Sequence, residues 1–358
     1  MAMPLAAPAA AEETSGAATV WVRSWLFSAA ALVFAMVVVG GATRLTDSGL
    51  SITEWQPIVG IVPPLSEADW RDAFAKYKEI PEYQHVNQGM SIDQFKFIYW
   101  WEWAHRALGR LVGLVFALPF AWFWFRGHLP RGLAPKLLGV LALGGLQGFI
   151  GWYMVQSGLA ERVDVSHYRL ALHLTLAIVI FGLLLWLALG LTHPAKPVPS
   201  TVITPAQQWL PPLLITLLLV QIALGAFVAG LKAGLTHNTW PLMDGKLIPD
   251  GLGTLEPWYL NLFENVTTVQ FAHRTVAYIL AVLAFAHAWS LARAAGDDRL
   301  VRSSGLLAIA VAAQAALGVW TLLAAQGAIP IGLGLAHQAG AAVVFAAAVW
   351  HLHRMGRA

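Results

Sequence analysis

Residues 99–113 read YWWEWAHRALGRLVG. A glutamate, a histidine and two arginines stand together here at the edge of a long apolar run. Ionisable groups inside a membrane span are costly and usually line an interior site. A shorter echo, VQFAHRTVAYILAVL, begins at Val269 and carries Gln270 where the first copy carries Glu102. Two copies of one helix start, with one acid between them, set the frame for the rest of the chain.

Working outward, the apolar runs are roughly 20 residues long, the length that crosses a bilayer core as helix. Of the 358 residues, 58% are hydrophobic and 11% charged, against about a quarter charged in a soluble domain. The fold class expected is an all-α integral membrane protein. Eight spans are read at about 20–40, 101–125, 134–154, 169–191, 209–230, 268–293, 302–324 and 333–353. No cysteine is present, which excludes disulfides, thiolate metal sites and a cysteine nucleophile. The sequence pI near 9.2 does not point to nucleic acid, because the basic residues sit beside the spans.

Arg126, Arg131 and Lys136 follow the second span, Arg293, Arg299 and Arg302 the sixth, and Arg354 and Arg357 the eighth. The opposite loops hold Asp47, Glu54, Glu67, Asp69, Asp72, Glu79 and Glu82. The positive-inside rule then predicts cytoplasmic termini, with long loops 41–98 and 231–267 outside. Residues 1–18 lack the basic and apolar regions of a secretory signal and read as a disordered cytoplasmic tail.

The halves align with each other. AHR at 104–106 matches AHR at 272–274, Gln147 pairs with Gln314, Trp152 with Trp320, LALHLTLA with GLAHQAGA, and GLSITEW, from Gly49, with GLTHNTW, from Gly234. Four spans per half make this a parallel repeat of two four-helix bundles. The division expected is 19–191 for the first bundle, 192–208 for a proline-rich linker and 209–358 for the second.

Most of the twelve histidines have plain readings: His128, His193, His351 and His353 at cytoplasmic ends, His85, His167 and His237 in outer loops. A lone histidine in a span is more often packed and hydrogen-bonded than a ligand. His105, His173, His273 and His337 differ, because they fall at matching depth, about five residues inside the outer ends of spans two, four, six and eight. Two imidazoles facing across a bundle core hold a haem iron from both sides. Zinc wants more ligands than the spans offer. Glycines 109, 113, 144, 145, 148 and 151, with 318, 332, 334 and 340, either admit a flat macrocycle or serve close helix packing. Arg106 and Arg274 either pair with haem propionates or with loop acids and lipid headgroups. Glu102 shares a helix face with His105 and either makes a salt bridge to Arg106 or acts chemically, which Gln270 cannot do by changing charge.

GGATRLTDSGLSITEWQPIVGIVPPLSEADW, from Gly40, followed by EWAHRALGR, resembles the heme A synthase family over nearly the whole chain, in its cysteine-free alphaproteobacterial and mitochondrial branch. The resemblance implies oxidation of a ring methyl of haem O to the formyl group of haem A through an alcohol. It implies His105 and His173 on the substrate haem, His273 and His337 on a haem b cofactor, and Glu102 as the functional acid. It also implies work beside haem O synthase, an unnamed electron-transfer partner and a homo-oligomer. A di-haem b electron carrier, such as a quinol-oxidising cytochrome, shares the four histidines; a transporter fits less well, because the notable polar groups of this chain cluster at the outer edge rather than near mid-membrane.

Overall fold

A computed structural model describes residues 9–55, 59–161, 163–192, 203–294 and 298–356. Eight helices are long and apolar enough to cross a membrane. They are α1 (Ala9–Leu45), α4 (Ile92–Phe125), α5 (Leu133–Glu161), α6 (His167–Thr192), α7 (Pro205–Gly230), α8 (Val266–Ala294), α9 (Asp298–Ala324) and α10 (Ile331–Arg354). Two short helices, α2 (Glu67–Tyr77) and α3 (Pro81–His85), lie in the first long loop. No β-strand is present among the described residues. In a bilayer only closed hydrogen bonding survives, and the helix provides it within each segment.

Helix starts are fixed by side chains that accept from free backbone N–H groups. Ser91 with Gln94 boxes the start of α4, Ser66 with Asp69 that of α2, and Thr204 with Gln207 that of α7. Several boundaries differ from the sequence reading. Residues 9–18, read as disordered tail, are the first turns of α1, where alanine-rich sequence favours helix; residues 1–8 lie outside the described residues. Residues 205–208, read as linker, already belong to α7 because Thr204 caps it; most of the linker, with His193, lies outside the described residues, as does Arg357. Span two begins at Ile92, so His105 stands thirteen residues into its helix, whereas His173, His273 and His337 stand six or seven into theirs.

The long helices pack as two closed rings. In ring one α1 touches α4, α4 touches α5, α5 touches α6, and α6 returns to α1. In ring two α7, α8, α9 and α10 close in the same way. The rings join where α10 lies on α1 and α6, and α6 on α7. Glycine lets these surfaces meet: a Cβ on Gly182 of α6 would stand 2.6 Å from Cε1 of Phe345 on α10. Across the same seam Gln338 Nε2 donates to Val37 O (2.6 Å) and Arg44 Nη2 to Ala229 O (3.2 Å).

The first long loop has a core of its own. Phe95, on the part of α4 that extends beyond its span partners, is fully buried against Phe74 (5.0 Å between centroids), Tyr77 (5.2 Å) and Trp70 (6.4 Å). The second long loop is tied by asparagines instead. Asn261 Nδ2 donates to the carbonyls of Leu255 and Trp258, and Asn265 Nδ2 to that of Gly251, each at 2.8 Å.

Candidate functional site

His105 and His173 project from α4 and α6, alternate helices of ring one, and His273 and His337 from α8 and α10, alternate helices of ring two. Alternate members of a four-helix ring face each other across its centre. The members of each pair are close enough to interact electrostatically. All four imidazoles rest on a glycine of the preceding membrane-length helix. A Cβ on Gly151 would stand 2.9 Å from His173 Cε1, on Gly225 3.2 Å from His273 Cε1, on Gly318 2.7 Å from His337 Cε1, and on Gly40 3.0 Å from His105 Nε2.

Three of these histidines are also held by a glutamine one turn before the glycine. Gln147 Nε2 lies 3.1 Å from His173 Nδ1 and donates to His173 O at 3.0 Å. Gln314 repeats both contacts on His337, at 3.0 and 2.7 Å. Gln221 Nε2 lies 3.1 Å from His273 Nδ1 and 3.2 Å from its Nε2.

This donor set suits a haem iron. Iron on Nε2 leaves the ring hydrogen on Nδ1, which then needs an acceptor. The Oε1 atoms of Gln147 and Gln221 are buried without a partner beside those rings, and a half-turn of each amide would present Oε1 to Nδ1–H. Among the described residues no group of three or more His, Cys, Asp or Glu could hold a bare ion. Two axial imidazoles complete the coordination only of a metal that brings its own equatorial ligands.

At the long-loop end of each ring the arginine of the AHR motif holds the loop backbone. Arg106 Nη2 donates to Ile52 O (2.9 Å) and Nη1 to Glu54 O (3.2 Å). Arg274 Nη2 donates to His237 O (2.7 Å) and Nη1 to Thr239 O (2.9 Å). The paired positions are those that align GLSITEW with GLTHNTW. Glu102 is 2% exposed. Its Oε2 accepts from Ser51 Oγ (2.7 Å) and Ile52 N (2.8 Å), its Oε1 from Arg106 Nε (3.1 Å) and Nη2 (2.7 Å). The bridge to Arg106 read from sequence therefore exists, with its carboxylate buried in the protein. Gln270, 3% exposed, makes the simpler contact, donating to His237 O at 3.0 Å.

The remaining histidines find other places. His237 Nδ1 stands 2.6 Å from Asp244 Oδ2 inside the second loop, and that hydrogen bond holds the Asp244 carboxyl below its ordinary range. His167 packs against Gly230 and faces Glu264 at 3.4 Å, at the junction of the rings rather than on the His173 ring. His351, read as a cytoplasmic-end residue, is fully buried; its Nε2 meets His287 Nε2 at 2.8 Å and its Nδ1 meets Ser303 Oγ at 2.8 Å. His287 had no reading from sequence.

Sequence reasoning also missed Gly40 and Gly225, and it misplaced one pair. With Gln147 and Gly151 matched to Gln314 and Gly318 by their identical contacts, Trp320 falls opposite Tyr153, and Trp152 opposite Val319. Of the glycines offered for a macrocycle, Gly151 and Gly318 seat a histidine and Gly340 makes room for Gln314, while Gly113, Gly144, Gly145, Gly148 and Gly332 have open space around them.

Two rings of four membrane-length helices, each with a histidine pair on alternate members, define an eight-helix membrane protein with the same histidine plan in both rings. Residues 23–349 match the family described as cytochrome oxidase assembly protein. The chain is 55% identical over 337 residues to a heme A synthase of Chelativorans sp. (strain BNC1), covering 93% of this chain and 91% of that one. It is 51% identical over 333 residues to one of Parvibaculum lavamentivorans (93% and 94% covered) and 52% identical over 347 residues to one of Rhodospirillum centenum (97% and 91% covered). The chain belongs to the heme A synthase family.

Proposed function

We propose that this protein is an oxidoreductase that converts haem O to haem A, oxidising one ring methyl to a formyl group in two rounds through a hydroxymethyl intermediate. The substrate haem sits between His105 and His173 and a resident haem b between His273 and His337. The observation that carries the reading is that both rings repeat one histidine–glycine seat while only the first has a carboxylate, Glu102, one turn from its histidine. The family membership supports the reaction; the internal difference supports its assignment to ring one.

A haem b held in ring two supplies one-electron redox chemistry. The chain's own residues do the rest. Arg106 and Arg274 fix the loops that roof the two rings. Four of the five N–H donors of Arg106 are engaged by Glu102, Ile52 and Glu54, so it reaches a propionate mainly through the loop it orders. Arg274 keeps a buried Nε without a partner, a donor suited to a propionate. Glu102, one turn from His105, would stabilise charge or handle protons at the oxidised methyl.

The same proposal places both termini in the cytoplasm and the haem sites toward the outer face of the inner membrane. It takes the substrate from haem O synthase and lets the chain associate with copies of itself. The test is haem extraction and chromatography of the purified protein, expressed with haem O synthase. Haem b together with haem A or its alcohol precursor is the expected result. Two haem b per chain with no modified haem would identify an electron carrier instead.

A further inference from the structure

The two rings supply four versions of one joint, and one of them is different. On α5, α7 and α9 the seat reads Gln-x-x-x-Gly: Gln147 with Gly151, Gln221 with Gly225, Gln314 with Gly318. On α1 the register that pairs Gly49 with Gly234 and Gly40 with Gly225 pairs Gln221 with Met36. A thioether is only a weak acceptor and has no donor hydrogen. Met36 turns its methyl toward α4, where a Cβ on Gly109 would stand 3.3 Å from it. The His105 ring makes no hydrogen bond among the described residues.

The ring's orientation differs as well. His173, His273 and His337 turn Cε1 toward their glycines, with Nδ1 on the glutamine. His105 turns the other edge, with Nε2 at 3.0 Å and Cδ2 at 3.4 Å from the Cβ position on Gly40. A half-turn about the Cβ–Cγ bond interconverts the two orientations. A hydrogen bond on Nδ1 selects one of them; without it neither is selected.

We propose that His105 is the releasable axial ligand of the substrate haem, and that Met36 makes it so by standing where a glutamine would lock the ring. This rests on the placement of that haem in ring one. On release the Nε2–iron bond breaks, Nε2 swings against Gly40, and an exogenous ligand can take the vacated position; no electron moves in this step. Haem b in ring two, gripped by Gln221 and Gln314 on both faces, stays closed to such ligands.

Carbon monoxide binding to the dithionite-reduced, purified protein carrying haem O tests this, with the haems counted by extraction. In the wild type, ring-one haem is expected to bind carbon monoxide and haem b not. Met36→Gln should slow or weaken that binding by about 10–100-fold, the usual effect of one hydrogen bond on a metal-ligating histidine, without loss of haem. Met36→Leu, without an amide, should behave as wild type. Gln221→Met should make haem b reactive to carbon monoxide while it stays bound, and it decides the matter if Met36→Gln does not fold. Ring-one haem that ignores carbon monoxide, an unchanged rate in Met36→Gln, or an inert haem b in Gln221→Met overturns the proposal. Extraction that finds no haem O or haem A in ring one instead overturns the functional reading on which it rests.

Discussion

The two rings share a skeleton and differ at both ends. At the long-loop end, Arg106 and Arg274 hold equivalent loop carbonyls, but the residue one turn earlier is Glu102 in ring one and Gln270 in ring two. Ring two shows that an amide suffices to fasten the loop. A buried carboxylate costs several kcal/mol to desolvate unless it is paired, and ring one assembles Ser51, the Ile52 N–H and Arg106 around it. Holding a loop does not require that arrangement; holding a charge does. At the far end, ring one is filled by Trp25, Phe116, Phe120 and Phe123, and ring two buries the His287–His351–Ser303 network. The duplication keeps the histidine seats and concentrates its differences in what surrounds them.

The largest effect comes from removing a seat's ligand. His273→Ala is expected to lose haem b from ring two while the helices still insert, seen as loss of the haem b absorbance in purified protein. An unchanged spectrum would move that cofactor elsewhere and dissolve the division of labour between the rings. The next effect sharpens the acid–amide contrast. Glu102→Gln gives ring one the side chain of ring two. It should leave haem b in place and lower the yield of haem A by about 10²–10⁴-fold, the range of general acid–base contributions. Wild-type haem A from that variant would reduce Glu102 to a loop fastener.

Much of this was legible before any coordinates. Eight spans follow from apolar runs, and His105, His173, His273 and His337 stand out because imidazole is conspicuous in such runs. The Glu102–Gln270 difference is visible once the AHR motifs are aligned. The arginine clamp was not legible, because its acceptors are backbone carbonyls that every residue carries. Gly40 and Gly225 look like ordinary packing glycines until a histidine is found on them. The Met36–Gln221 exchange needs the register of α1 against α7, which only their loops carry. The pairing of Trp152 with Trp320 failed by one residue because aromatic identity was followed where the histidine contact sets the register. His287 lies fourteen residues after His273 on α8, and only the return of α10 brings His351 to it.

The loops extend the contrast with a smaller effect. Phe95→Ala should cost the first loop roughly 3–5 kcal/mol, as expected for an aromatic removed from a packed core. Hydrogen exchange over α2 and α3 should then rise while the second loop, which rests on Asn261 and Asn265, is unchanged. Equal exchange in both loops would mean the aromatic cluster does not organise the first.

The finest distinction is one of pH. Glu82 on α3 is 4% exposed beside the fully buried Tyr77, whose hydroxyl donates to it at 3.3 Å. Burial pushes its carboxyl up to about 8 from an ordinary 4.5, helped by the negative charge of Glu102 and opposed by the Tyr77 hydrogen bond. The folded loop therefore keeps a proton that the unfolded loop releases. Its stability is full below about 4.5, falls as pH rises toward about 8, and then levels off, at roughly 1.4 kcal/mol for each unit of difference. Hydrogen exchange over α2 and α3 should be faster at high pH than at pH near 6 after correction for intrinsic chemistry. Glu82→Gln, neutral throughout, should flatten the difference. The second loop offers the opposite sign at Asp244, held low by His237, so acid should loosen ring two's cover where base loosens ring one's. A common pH response in both loops would show that the two covers are not independently built.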